Sequence, residues 1–146
     1  MPGMTERVYP NEMRSSRELE TLMKGIFLRR YGMARDWLRE HFSGRRPRII
    51  DIACGSGYGA AILAELGPVV AVDIDGEAIE YARREHAGAG ISYLVGNADD
   101  SAFLASLGSF DAVVTSATLE HVADAGRFLG WIRRALLPGG ACVACF

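Results

Sequence analysis

A chain of 146 residues with 49% hydrophobic and 23% charged side chains has the size and balance of one globular domain, able to bury a core and too apolar to stay disordered. Its formal net charge of −2 offers no general attraction to phosphate backbones, and the Arg45, Arg46, Arg48 cluster reads as a solvated loop, so no nucleic-acid partner is expected. No apolar stretch reaches membrane-spanning length and the first dozen residues lack a signal-peptide core, which points to a cytoplasmic protein without membrane contact.

In chain order, the segment carrying Pro2, Gly3 and Pro10 is irregular. Ser15 and Glu18 have the spacing of a capping box, and Leu19, Leu22, Met23, Ile26, Phe27, Ala34 and Leu38 recur at helical intervals up to about His41. Gly25 and Gly32 are points where that helix would bend or divide, and it is expected to pack on a sheet. Residues 1–44 thus form an N-terminal helical segment, and residues 45–146 a second, compact unit. Gly44 to Pro47 leads into a short β-branched strand, Arg48 to Ile52. At Ala53 it breaks into a turn with Gly55, Gly57 and Gly59, and a helix runs from about Gly57 to Leu66 before the Gly67-Pro68 stop.

Val69 to Asp73 is apolar enough for a central strand buried on both faces. Asp75 N-caps a helix to about His86, ended by Gly88 and Gly90. Ile91 to Val95 and Phe110 to Ser116 read as strands, and Asp124 to Leu137 as a helix presenting Phe128, Leu129, Ile132, Ala135 and Leu136. Pro138-Gly139-Gly140 stops it, and the last six residues start a fifth strand. Strands alternating with helices give a parallel α/β sheet with right-handed crossovers. Cys54, Cys142 and Cys145 are read as structural thiols, the last two in a buried strand. No further Cys or His pair completes a zinc set, so no metal is expected.

The strand, glycine turn and helix at Arg48 to Glu65 organise the chain. Glycine there lets the backbone take positive φ and lets a ligand approach, and the first free N–H groups of a helix favour its anionic or polar end. Gly55, Gly57 and Ala60 fit the dinucleotide pattern G-x-G-x-x-G/A, with Asp73 placed for ribose hydroxyls, whereas no Lys-Ser or Lys-Thr follows as a P-loop demands. DIACGSGYG also resembles the first motif of the class I S-adenosylmethionine-dependent methyltransferases, with Ala53 in place of its first glycine. GNADD, TSATLEHV and RALLPGGACVACF resemble later landmarks of the ubiquinone and menaquinone methyltransferase-like branch, in the same order, so the resemblance covers about Arg48 to Phe146.

That resemblance implies a Rossmann-like three-layer sandwich with strand order 3-2-1-4-5, S-adenosylmethionine as cofactor and S-adenosylhomocysteine as product. It implies methyl transfer to a small-molecule acceptor by in-line displacement. Backbone groups at Ala53, Gly55 and Gly57 would hold the methionyl part, and Asp51 its ammonium, unless Asp51 only accepts turn N–H groups. Asp73 would take the ribose, or else serve as a helix cap; Ile74 would pack on the adenine. Asn97 and Ala98 would meet the adenine edge, with a solvated turn Asn as the alternative, and Ser116 is a further cofactor contact. His121 is the candidate base, or a loop histidine bonded to backbone, and the N-terminal helix would double as a lid. Family domains continue beyond a fifth strand, so the usual strands 6 and 7 are expected to be absent and the fifth to be an open edge. A truncated sequence, a second copy of the chain or the N-terminal segment would account for that edge. A cofactor-binding relative without catalysis, and less strongly an NAD(P)-binding oxidoreductase, are the competing functions.

Overall fold

In the computed structural model, which describes residues 17–88 and 90–145, five helices surround a five-stranded parallel sheet. The elements are α1 (Arg17–Phe42), β1 (Ile49–Ile52), α2 (Tyr58–Leu63), β2 (Val69–Asp73) and α3 (Gly76–Glu85), followed by β3 (Ile91–Val95), α4 (Ser101–Ser106), β4 (Phe110–Ser116), α5 (Ala125–Ala135) and β5 (Leu136–Cys145). All four residues of β1 are buried, as expected of an apolar strand covered on both faces, and it lies at the centre with Ile49 opposite both Val69 and Ala112. The strand order is 3-2-1-4-5, as the sequence resemblance implies. One face carries α1, α2 and α3 through Leu38, Leu63 and Ile79, and the other carries α4 and α5 through Leu104, Phe128 and Ile132. The chain reverses its winding between β1 and β4, where open α/β sheets leave a crevice at the carboxyl ends of the strands.

Several local expectations are corrected. The helix α1 is unbroken at Gly25 and Gly32, and its core face is Tyr31, Ala34, Leu38 and Phe42; Leu22 is 60% exposed and Ile26 37%. The physical reason is that α1 docks through its later turns: Arg35 and Arg39 reach Glu65 after α2, and His41 Nε2 lies 2.9 Å from the Gly139 carbonyl. The side chains of Leu19 and Met23, and the Ser15–Glu18 box, lie outside the described residues.

The helix α2 stops at Leu63, where the amides of Glu65 and Leu66 turn back three residues to Ile62 and Leu63. The sequence reading contains no counterpart of α4, a six-residue helix capped by Asp100, whose carboxylate accepts from the Phe103 amide at 3.0 Å. The helix α5 ends at Ala135, earlier than expected, because Leu136 is already extended and pairs with Phe110. Pro138-Gly139-Gly140 therefore interrupts a strand instead of stopping a helix: pairing lapses and resumes at Ala141 opposite Ala112. Gly140 is required there, since a Cβ would fall 2.7 Å from the Asp111 and Leu137 carbonyl oxygens. Cys142 is exposed and Cys145 half-buried, not buried as expected, because β5 pairs with no strand beyond β4 among the described residues. No helix among the described residues is long and apolar enough to cross a membrane.

Candidate functional site

The turn after β1 is wound left-handed at three positions, with φ of +63° at Ala53, +54° at Gly55 and +90° at Gly57. Gly57 rests against the fold, since a Cβ there would lie 2.7 Å from Ala82 Cβ and 3.0 Å from the Tyr93 hydroxyl. Gly55 faces the other way, with nothing within 4 Å of where its Cβ would project, so a ligand can approach the backbone at that point. Gly59 is corrected in role. It lies in α2, and a Cβ would fall 2.2 Å from the Tyr31 ring, so it makes room for α1 and not for a ligand.

Ala53 holds with a side chain a conformation that glycine takes freely, at about 1 kcal/mol of strain. Ala53→Gly is therefore expected to raise the urea midpoint by the equivalent of about 0.5 kcal/mol or less, the relief of about 1 kcal/mol of strain being largely offset by the greater freedom of glycine when unfolded.

Asp73 fastens the turn to the next strand. Its buried carboxylate accepts from the Gly55 amide and from the Asp75 amide, both at 2.9 Å, while its own carbonyl accepts from Gly96 at 2.9 Å. Capping of α3 falls to Asp75, which accepts from Glu77 and Ala78, so the plain capping alternative for Asp73 does not describe it. Beside it Ile74 is 55% exposed, a large apolar side chain held at the rim. Asn97 is exposed and its Oδ1 accepts from the Asp99 amide at 2.9 Å, a turn role that leaves its second lone pair. Ala98 next to it is half-buried, and Asp99 accepts from Ala123 at 2.8 Å, joining this loop to the start of α5.

Beneath the turn, Asp51 is fully buried and accepts a 3.0 Å hydrogen bond from the Tyr31 hydroxyl through Oδ1; its Oδ2 has no partner among the described residues. Burial pushes this carboxyl up from the ordinary 3.8 to about 8, the Tyr31 hydrogen bond working against that and the Asp73 charge adding to it. Burial, and then the Asp51 charge, hold the Tyr31 hydroxyl well above the ordinary tyrosine range. At the end of β4, Ser116 is 8% exposed with its Oγ unpartnered among the described residues, and Ala117 turns left-handed at φ +54°. His121 is exposed in the following turn, where its amide donates to the Thr118 carbonyl at 2.9 Å.

Asp51, Ala53, Gly55, Gly57, Asp73, Ile74, Asn97, Ala98 and Ser116 thus gather toward the carboxyl ends of four neighbouring strands, with His121 beyond β4. A groove of about 320 Å³ between α4 and α5 touches this edge through Ala98 and Asp99. It is a packing seam, walled by Trp131, whose Nε1 donates to the Leu104 carbonyl at 3.1 Å. Tyr31 is absent from the sequence-predicted set. Its signal was a tyrosine three residues before Ala34 on the core-facing stripe, whose hydroxyl needs a buried partner.

A family described as "Methyltransferase domain" matches residues 50–144. The chain belongs to this methyltransferase family. It is 36% identical over 123 residues to a ubiquinone biosynthesis O-methyltransferase of Caulobacter sp. (strain K31), covering 80% of this chain and 48% of that protein. An S-adenosylmethionine-dependent methyltransferase from Mesorhizobium loti superposes with a TM-score of 0.60 at 29% identity, over 68% of this chain and 46% of that one. DhpI, solved as a SAM-HEP complex, superposes with a TM-score of 0.58 at 27% identity, over 66% of this chain and 45% of that one. The chain spans about half the length of these methyltransferases. The class I resemblance read from DIACGSGYG and the later landmarks is borne out.

Proposed function

We propose that this methyltransferase domain binds S-adenosylmethionine along the carboxyl edge of its sheet and serves methyl transfer to a small-molecule acceptor. The observation that carries the reading is a pair of buried carboxyls at one glycine turn. Among the described residues Asp51 has an oxygen without a partner, fit for an ammonium, and the Asp73 carboxylate lies against the Gly55 amide at the carboxyl end of β2, where it would accept from ribose hydroxyls. The backbone at Ala53, Gly55 and Gly57 would hold the methionyl part, Gly55 having open space over it. Ile74 would cover the adenine, Asn97 and Ala98 its edge, and Ser116 Oγ would gain the partner it lacks.

When bound, the cofactor supplies a sulfonium-activated methyl group, and its in-line displacement leaves S-adenosylhomocysteine. The chain's part is alignment and exclusion of water, which in such a displacement supply most of the effect. A base contributes only where the acceptor must lose a proton. His121, exposed in the turn after β4, is the residue placed for that role. In this reading α1 is the lid, a second copy covers the open side of β5, and the setting is cytoplasmic, consistent with three cysteines that form no disulfide. The mass of the chain in solution tests the second copy.

Calorimetric titration with S-adenosylmethionine, S-adenosylhomocysteine and NAD, repeated on Asp73→Ala, tests the cofactor. Micromolar binding of both sulfur nucleosides, no binding of NAD and loss of binding in the variant are expected. NAD binding in their place would favour the oxidoreductase, which shares the glycine spacing and Asp73. Methyl transfer to an acceptor then separates the enzyme from a relative that holds the cofactor without catalysis.

A further inference from the structure

Tyr31 and Asp51 form an enclosed pair that the glycine turn does not itself require. Tyr31 is 5% exposed and Asp51 0%, their oxygens lie 3.0 Å apart, and the ring position is fixed by Gly59, where any Cβ would collide with it. Among the described residues, the titratable groups that act on the pair are Cys54 from the turn, Asp73 from β2, Tyr93 from β3 and Cys145 from β5. None of these is a cation, so the enclosure provides acceptors for a positive charge and none of its own to fill them.

We propose that Tyr31 is a positioning residue for cofactor loading, its hydroxyl holding Oδ1 of Asp51 so that Oδ2 receives the ammonium of the cofactor's amino-acid end. The inference rests on the cofactor reading above and deepens it by naming the residue of α1 that couples the helix to the site. A proton balance follows. Below about pH 8 Asp51 is protonated in the free chain, and pairing with an ammonium requires the carboxylate. The Asp51 proton therefore leaves to solvent, one for each ligand bound, while the Tyr31 hydroxyl keeps its own and donates to the carboxylate. Affinity for a ligand with an ammonium rises with pH up to about 8 and then levels.

The test uses the whole chain, titrated calorimetrically with S-adenosylhomocysteine and with methylthioadenosine, which lacks the amino-acid end. Titrations run at about pH 6.5 and about pH 8.5, in buffers of different ionisation heat. The wild type is expected to release about one proton per S-adenosylhomocysteine at the lower pH, close to none at the higher, and none with methylthioadenosine at either. Tyr31→Phe should weaken S-adenosylhomocysteine about tenfold and leave methylthioadenosine within about twofold. Gly59→Ala, which keeps the hydroxyl and displaces the ring, should give the same selective loss. Equal weakening of both ligands overturns the proposal, because that is what a merely structural role produces. Tighter S-adenosylhomocysteine binding by Tyr31→Phe also overturns it, because the hydroxyl would then be a competitor. Where a variant does not fold, absence of proton release by the wild type overturns the proposal unaided. Failure of the wild type to bind either nucleoside overturns the cofactor reading itself.

Discussion

Asp51→Asn is expected to stabilise the chain at pH 8 and destabilise it at about pH 4, so that the two urea-stability curves cross. Asp51 titrates near 3.8 when unfolded and at about 8 when folded, so between those values the folded chain binds the extra proton. Stability then falls as pH rises through that window, by roughly 1.4 kcal/mol per pH unit and ~6 kcal/mol in total, and levels above it. Asparagine keeps an acceptor for the Tyr31 hydroxyl but puts an amide N–H₂ where the unpartnered Oδ2 lies, at about 1–3 kcal/mol independent of pH. The variant should be the less stable form near pH 4, cross the wild type between about pH 4.5 and 6, and lead by about 2–4 kcal/mol at pH 8. The difference between the curves is the readout, because every other titrating group is common to both. A difference that does not change with pH would mean that Asp51 is ionised throughout.

Gly57→Ala is expected to remove about 2–5 kcal/mol, combining about 1–2 for a side chain at left-handed φ with about 1–3 for overpacking. The position holds φ +90°, and the new methyl would meet Ala82 Cβ at 2.7 Å and Tyr93 at 3.0 Å. Neither neighbour yields readily: Ala82 is fully buried in α3, and the Tyr93 hydroxyl donates to the His86 carbonyl at 3.1 Å. Gly55→Ala is the internal control, with φ +54° and open space, so its loss should stay near 1 kcal/mol while ligand binding suffers. Urea unfolding of both variants decides; similar losses would mean that backbone strain alone accounts for both glycines.

How much of this was legible in the sequence depended on the range of the interaction. The β-branched run at β1, the Asp75 cap and the glycine turn are local and were read correctly. Six residues of α4 are less than two turns, too few to show a period, and only the Asp100 cap marked them. The face of α1 was misread because Leu22 and Ile26 share helical spacing with Leu38, and spacing cannot say which of two apolar stripes meets the sheet. Asp51 was singled out, but its partner is 20 residues upstream on another element and only packing reveals it. The Leu137–Gly140 lapse in β5 depends on the Asp111 backbone, and the sequence there looked like an ordinary helix stop.

The central position of β1 has a consequence for how the chain is made. The strands on its first side follow soon after it, but its other neighbour is far along the chain: Arg48 meets Asp111 across 63 residues. At roughly 5–20 residues per second, a ribosome would leave that side of β1 waiting roughly 3–13 seconds for β4. Throughout that interval the nascent chain carries an unpaired edge on a strand whose four residues are all buried in the finished fold, the one later shielded on both sides. The vulnerable moment in the life of this protein is therefore set by the order of its strands, and it ends when Phe110–Ser116 emerge.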